Sequence, residues 1–472
     1  MMRAIMKSTS LAISFLVFSI ATLQAEGSFS VVVNGAPCTV NSIIERDITV
    51  IGGGSSGTYS AIRLSDLGKT VALIEQNNRL GGHTETYHDP QSGKTIDIGV
   101  IYFHNKTVVK KYFERLNVSL GPADAFVGTI KKYVDFRTGA EVANYSAPDP
   151  SAAISRYLAQ VLQYPFLEKG FELPYPVPAD LLLPFGKFIE KYELQDMAGF
   201  IFRFAQGLGN LMAQPTIYVF KNIGISTLQS YATGFLASTL RDNSLLYEHA
   251  TEELGPNVFM NTKVVFVERA IAGGVKVLIK TPAGLVLIKS QKLVVAIPPR
   301  LNNLAGWDLS KSEKSLFAQF GNSAYYTGLL RNTGIPDGIS VTNVGDDTLY
   351  NLPVLPGVYN LGQSNAPGLM SVQFGSQTEL SDTEARQAVI SSVKSLEFAG
   401  KVPSEPELAV FASHIPFELT VPASAIASGF YKDLYALQGR RSTYYVGAAF
   451  HTHDSSLLWE FSESLLPKVI RV

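Results

Sequence analysis

The stretch Arg46 to Thr86, RDITVIGGGSSGTYSAIRLSDLGKTVALIEQNNRLGGHTET, gathers residue types that together do one kind of chemistry. Gly52, Gly54 and Gly57 follow a G-x-G-x-x-G spacing, with Ser56 inside it. The first glycine allows a tight turn and the second lets backbone approach a pyrophosphate. The third lets a helix pack close to a strand. Glu75 stands 18 residues beyond Gly57, where an acid accepts hydrogen bonds from both ribose hydroxyls of an adenosine. Arg79, Gly81, Gly82 and His83 follow in a second glycine loop. These are the parts of a dinucleotide site.

The elements that must hold them are readable from the same stretch. Asp47–Ile51 is an apolar, β-branched run that reads as a buried parallel strand. Thr58–Leu67 carries Ala61, Ile62 and Leu64 at helical spacing, with Gly68 as its C-terminal stop. Its N-terminus would turn unpaired N–H groups and a positive dipole end toward phosphate. Lys69–Ile74 is a second buried strand, and it ends at Glu75. The bland alternative is a Rossmann-like unit that has lost its ligand.

The residues after the acid decide which dinucleotide. Arg79-Leu80-Gly81-Gly82-His83 turns the chain back, and TIDIGVIY, Thr95 to Tyr102, follows. A Gly-Gly loop here suits a longer ligand lying along the chain. The pattern resembles the flavin-containing amine oxidase superfamily, which binds FAD. The resemblance implies that the R-x-G-G loop supports the pyrophosphate and ribityl region. It also implies that Asp97, Gly99, Ile101 and Tyr102 pass beside the isoalloxazine.

The far end of the chain fits the same pattern. Ser442–Val446 reads as a buried strand, followed by Gly447-Ala448-Ala449-Phe450 and by Asp454-Ser455-Ser456 opening an apolar run. In the superfamily this strand–turn–helix caps the flavin, which brings in Gly447 and Ser455. A helix N-terminus there would stabilise the anionic reduced flavin. Asp454 and Ser455 read equally well as ordinary N-caps. Between these ends, KVVFVERA, GVKVLIKT and LVLIKS alternate as a β-meander, and Leu293–Pro299 reads as a buried strand. Val264 would match the superfamily's adenine-contacting valine.

The resemblance implies an α/β fold, with a Rossmann-like FAD domain interleaved with a mixed-sheet substrate domain and a helical insertion. The FAD unit takes 46–148, 251–299 and 430–472. Residues 149–250, aromatic and helical in pattern, read as a lid or access wall for an apolar substrate, or equally as a helical layer that only packs on the sheet, and 300–429 is the substrate domain. Strands are expected at Ala324–Leu330, Leu349–Leu352, Gly357–Leu361 and Leu369–Phe374, with a helix over Ser381–Leu396. Within the superfamily, RLGGHTET, FYKDLYALQGRR and YYVGAAFHTHDSSLLWEF resemble the β-cyclopiazonate dehydrogenase-like group of fungal FAD-dependent oxidoreductases. One departure stands out. Superfamily amine oxidases carry a lysine on a substrate-domain strand, and Gly328 falls at the position expected for it.

Composition bounds the function. The chain has 472 residues, 46% hydrophobic, which is enough for two domain cores. A net charge of −1 without a basic stripe excludes nucleic acid as a natural partner. Arg3 and Lys7 precede the uncharged run Leu11–Leu23, and Ala25-Glu26-Gly27 completes a signal-peptide pattern over 1–27. An uncleaved anchor is the alternative. Asn105, Asn117 and Asn144 occupy N-x-[ST] sequons, in keeping with a secretory route. Cys38 is the single cysteine, so no intramolecular disulfide, Cys-based metal site or redox pair can form.

Tyr102, His104 and His451 are the candidate catalytic groups, with His453 flanking the same turn as His451. Tyr102 could orient substrate or donate a proton, and a histidine can accept one as hydride leaves. Each histidine reads equally as a hydrogen-bonded core residue. The function expected is hydride removal from a small, apolar, indole- or amine-type substrate. A redox-neutral double-bond isomerase of polyunsaturated fatty acids is the alternative within flavin chemistry. A Rab-escort or GDI-like binding module is the alternative outside it.

Overall fold

The computed structural model describes residues 28–33, 35–123, 129–270 and 274–471. The segment read as a signal peptide lies outside the described residues.

Two sheets organise the chain. The first has seven strands, drawn from the start, middle and end of the sequence. Ser42–Ile51 pairs in parallel with Val71–Ile74 on one side and Gly284–Val295 on the other. Thr443–Tyr445 adds in parallel to Leu293–Val295. Lys263–Arg269, Val275–Thr281 and Gly284–Val295 form the antiparallel meander. Val71–Ile74 is apolar throughout and buried throughout, as a strand covered on both faces must be. Burying each such side chain stabilises the fold by roughly 1.5–3 kcal/mol.

The helix after the glycine turn, Ser55–Asp66, buries Tyr59, Ala61, Ile62 and Leu64. Its partner is the last helix, Ser455–Val469, with the Tyr59 and Trp459 rings stacked at 5.6 Å. Gly68 has φ +75° and donates its N–H to Ser65 O, closing the helix as expected.

The second sheet has six strands. Ala324–Arg331 lies between Glu407–His414 and Met370–Ser376, followed outward by Gly357–Gln363, Ile339–Asn343 and Ile130–Val134. Helix Asp382–Lys394 packs on one face through Ala385, Val389 and Val393. A boundary at 148 would place Ile130–Val134 in the dinucleotide unit, yet it pairs in parallel with Ile339–Asn343 of the substrate sheet. Leu349–Leu352 is not a strand: Leu349–Asn351 forms a 3-10 turn with Tyr350 at φ +56°.

The helical region from Ser151–Val161 to Leu245–Leu254 shares one hydrophobic core with the first sheet. Phe185, Phe188, Ile217 and Val219 within it are fully buried. It is therefore a packed layer on that sheet. Ile96 and Ile98 join Leu329 and Ala412 in a small cluster that fixes the segment before Tyr102 against the second sheet.

Candidate active site

The glycine turn does what its spacing demands. Gly54 is the N-cap of helix Ser55–Asp66 in extended conformation, so the first helical amides have no side-chain acceptor. The space beside Gly54 is open, with a Cβ there finding only Gly82 Cα at 3.8 Å. Ser56 Oγ is buried without a hydrogen-bond partner among the described residues. Gly57, in contrast, is pressed on Gly52, and any Cβ would collide with the Gly52 carbonyl oxygen. Together these make a cradle of free donors with room for an anion.

Glu75 lies at the end of Val71–Ile74 and is 7% exposed. Its Oε2 accepts from Gly53 N and its Oε1 from Asn77 N, both at 2.8 Å. The carboxylate thus ties the glycine turn to its own strand end, with one lone pair on each oxygen left for a ligand. Val264 stands two residues after Thr262, whose N–H donates to Glu75 O. Val264 is half-buried at the start of a β-bulge.

Arg79 braces its own loop. Its guanidinium donates to Thr84 O at 2.8 Å and to Leu80 O and Gly82 O, and pairs with Glu85 at 3.0 Å. It ties the R-x-G-G loop to itself. Gly81 and Gly82 have positive φ, and Gly81 N donates to Gly53 O, so the two glycine loops lie side by side. Gly99 presses on His83, where a Cβ would collide with the His83 carbonyl oxygen. Asp97 accepts from Thr86 Oγ1 and Asn243 N, and burial lifts its carboxyl to about 6. Ile101 is 38% exposed, and the Tyr102 ring lies 5.8 Å from that of Phe235.

The last helix closes the cradle. Asp454 is its N-cap, accepting from Leu457 N at 2.9 Å, and Ser455 Oγ accepts from Ser55 Oγ at 2.9 Å. Two helix N-termini therefore meet through their first serines. Gly447, at φ +101°, begins the turn that leads there. His104 is buried, with Nδ1 2.8 Å from Ser230 Oγ and Nε2 3.2 Å from Asp454 Oδ2. That second contact is an ion pair whose angle falls outside hydrogen-bond geometry.

His451 stands apart from the place expected of a substrate base. Its Nε2 is 3.0 Å from Glu168 O, which only accepts, and its Nδ1 is 3.0 Å from Lys221 Nζ. Both ring nitrogens are engaged, so His451 is a neutral acceptor that holds Lys221. Lys221 is the one charge in the helix Thr216–Asn222, is 3% exposed, and donates also to Leu167 O. Burial pulls its amine down to about 7.

Opposite the R-x-G-G loop stands a wall of which sequence reasoning named only His453. The His83 ring lies 4.7 Å from His414, 5.6 Å from His453 and 5.7 Å from Phe417. Tyr325 stacks near His414, and Thr327 Oγ1 is 3.1 Å from His414 Nε2. Burial, with Arg79 adding to it, pulls His83 down to about 4, and burial beside a second imidazole pulls His453 to about 3 and His414 well below the usual range. The three imidazoles are neutral at pH 7. No group of three His, Cys, Asp or Glu among the described residues is arranged to hold a metal.

Gly328 does not face this wall. Its neighbours Tyr326 and Leu330 point into the core under helix Asp382–Lys394, and a Cβ on Gly328 would meet Val410 O at 2.6 Å. Thr327 holds the position that faces the loop. The signal for the wall is HIPFE, His414 to Glu418, where two titratable residues interrupt an apolar run.

The comparisons with known proteins agree with this geometry. Residues 50–116 match the model of the NAD(P)-binding Rossmann-like domain. The FAD-dependent oxidoreductase oblC of Cochliobolus heterostrophus is 39% identical, over 98% of this chain and 99% of its own length. The chain belongs to the fungal FAD-dependent oxidoreductases. Beta-cyclopiazonate dehydrogenase of Aspergillus oryzae is 36% identical over 90% of the chain and 93% of its own. Among solved structures, a CLA-producing fatty acid isomerase from P. acnes covers 90% of this chain and 99% of its own at TM-score 0.74 and 18% identity. Putrescine oxidase bound to putrescine covers 91% of this chain and 99% of its own at TM-score 0.66 and 15% identity. At such identities the likeness is one of fold.

This oxidoreductase uses FAD, and its own residues fit that group. The unpartnered Ser56 hydroxyl, the open space at Gly54 and the free amides behind it suit a pyrophosphate. Glu75 suits an adenosine ribose. A Rab-escort or GDI-like binding module does not stand beside relatives that are themselves oxidoreductases. No helix among the described residues is long and apolar enough to cross a membrane.

Proposed function

We propose that this oxidoreductase removes a hydride from a small, largely apolar organic substrate of indole or amine type. Oxidation of a C–H or C–N bond, with ring closure as one outcome, falls within that chemistry. The observation that carries this reading is the neutral wall of Tyr325, Thr327, His414, Phe417 and His453 opposite the R-x-G-G loop. Such a wall stacks on flat apolar rings and offers single hydrogen bonds, and none of its five side chains is a carboxylate to hold a polyamine. Bound FAD supplies the two-electron acceptor. His453 donates from Nε2 to Phe417 O at 3.0 Å, which leaves its Nδ1 lone pair to accept a proton. Kinship with beta-cyclopiazonate dehydrogenase supports dehydrogenation.

The test is anaerobic mixing of FAD-loaded protein with probes of three kinds: tryptophan-derived cyclic amides, putrescine and linoleic acid. Bleaching of the flavin by the indole probes alone is the expected result. Conversion of linoleic acid without accumulated bleaching would replace oxidation by double-bond isomerisation.

We infer also that the protein follows the secretory route. The signal-peptide pattern and three exposed sequon asparagines, Asn105, Asn117 and Asn144, support this. A gel-mobility shift on N-glycosidase treatment of protein from a eukaryotic host checks it. Unchanged mobility together with cytosolic fractionation would refute it.

A further inference from the structure

Behind the neutral wall lies a carboxyl group with no task so far. Glu418 follows Phe417, whose ring stacks on that of His453 at 4.2 Å. The Glu418 side chain is 5% exposed, and its Oε2 has no hydrogen-bond partner among the described residues. That oxygen lies 3.9 Å from His453 Nε2. Leaving a buried acceptor unsatisfied costs about 1–3 kcal/mol, and more when it is charged. A position that costs so much calls for a function.

The groups that face Glu418 come from three elements. His453 approaches from the turn before the last helix, and Lys221 with Tyr218 from helix Thr216–Asn222. Tyr431 approaches from helix Phe430–Tyr435. His453 itself faces His83 and His414 on its other side. Its Nε2 carries the hydrogen, because the Phe417 carbonyl can only accept. A proton arriving on Nδ1 therefore creates a cation within 3.9 Å of the unpartnered Glu418 oxygen.

We propose that Glu418 is a positioning residue that acts through His453. Its carboxylate stabilises the imidazolium formed when His453 Nδ1 takes a substrate proton. This rests on the oxidative reading above. In that step a substrate C–H bond breaks and both its electrons pass to the bound FAD. An X–H bond on the neighbouring atom gives its proton to Nδ1, and the pair it leaves becomes the new double bond. The arrangement resembles any base backed by a carboxylate, in which the acid fixes the tautomer and balances the charge. Burial lifts the Glu418 carboxyl to about 7, with Asn222 and Lys221 opposing. Glu418 thus gains its charge in the neutral range, while burial keeps His453 itself, at about 3, and the imidazoles around it uncharged until a substrate proton arrives.

The chain has 7 histidines, so nitrogen-15 histidine spectra of the FAD-loaded protein are tractable, and His453→Gln assigns the signal. The His453 resonances should move with an inflection near pH 7 as Glu418 ionises. Glu418→Gln should abolish that inflection. Lys221→Met should move it to higher pH, because a positive neighbour is lost. Should Glu418→Gln not fold, Glu418→Asp carries the comparison, with an inflection that is kept but displaced. Glu418→Gln should also slow anaerobic bleaching by an active probe roughly 100-fold, the lower end of what a general base contributes. A His453 titration identical in parent and Glu418→Gln would overturn the proposal. If no probe bleaches the parent, the oxidative reading falls, and the His453 titration still decides whether Glu418 governs it.

Discussion

His104 Nε2 lies 3.2 Å from Asp454 Oδ2, and this pair fastens the segment beyond Tyr102 to the N-terminus of the last helix. His104 is held on its other side by Ser230, and its backbone N–H donates to Ser456 Oγ. Burial opposes the charge on both partners, yet each overcomes it for the other. Asp454 raises His104, and His104 holds Asp454 at about 2.

Asp454→Asn keeps a capping oxygen for Leu457 N but removes the charge. The His104 part of the stability is complete below its ordinary pKa near 6.5 and fades as pH rises through the raised folded value. The Asp454 part is complete above 3.8 and fades as pH falls toward about 2. The parent should therefore exceed the variant most between about pH 4 and 6.5, by roughly 2 kcal/mol, the worth of the lowering of the Asp454 carboxyl from 3.8 to about 2. Melting temperatures across pH 2–9 check this, and a pH-independent gap would contradict the ion pair.

Gly54→Val and Gly57→Val should fail in different ways. Beside Gly54 there is open space, so the variant folds but its side chain fills the pyrophosphate position. Gly57 has no such space, and a side chain there drives the helix off its strand. The expectation is a folded, colourless Gly54→Val with native circular dichroism, and a Gly57→Val that is recovered insoluble or partly unfolded. A yellow Gly54→Val would remove the pyrophosphate from this turn.

The difference between these glycines also marks what could be read from sequence. Gly52, Gly54, Gly57 and Glu75 act through spacing within one strand–turn–helix–strand unit, so their roles follow from local geometry. The wall does not. His414, Phe417 and Thr327 come together only through the register of Ala324–Arg331 against Glu407–His414. A one-residue change of parity separates Thr327, which faces the loop, from Gly328, which faces the core. Lys221 and Glu418 were equally hidden, because each is an isolated charge in an apolar run whose partners lie far along the chain. The same limit applies to Ile130–Val134, whose sheet is set by a partner some 200 residues away.

Arg269 offers a test of the framework behind the site. Its side chain is fully buried and pairs with Glu313 at 2.6 Å and Asp308 at 2.8 Å, joining the meander to helix Lys311–Phe317. Tyr445, on the strand that leads to Gly447, donates to the same Glu313 at 2.6 Å. Burial opposes the charge on Glu313, but Arg269 holds the carboxyl at about 2. Arg269→Met takes the nearest cation from that carboxylate, leaving only Arg441 at 3.9 Å, and should cost about 3 kcal/mol, the lower end for breaking a buried pair. The Glu313 contribution is present above pH 4.5 and is lost as pH falls toward 2. Denaturant midpoints at pH 7 and pH 3 should therefore show a smaller penalty for Arg269→Met at the lower pH.

Glu75 has two tasks that substitution can separate. Both its oxygens already accept from backbone, Gly53 N and Asn77 N at 2.8 Å, before any ribose binds. Glu75→Ala removes those two bonds as well as the ligand's, each charge-assisted and worth roughly 1.5–3 kcal/mol. Stability should fall with or without FAD, and FAD affinity should fall by orders of magnitude. Glu75→Gln keeps one acceptor oxygen but turns an N–H₂ toward either Gly53 N or Asn77 N. Its losses of stability and of affinity should both lie between those of the parent and Glu75→Ala, since the amide oxygen still accepts but the N–H₂ cannot take a hydroxyl hydrogen. Desalting followed by titration with free FAD gives the affinity, and urea unfolding of the stripped protein gives the stability. If Glu75→Ala loses stability yet binds FAD as tightly as the parent, Glu75 serves only to brace the glycine turn, and the ribose is held elsewhere.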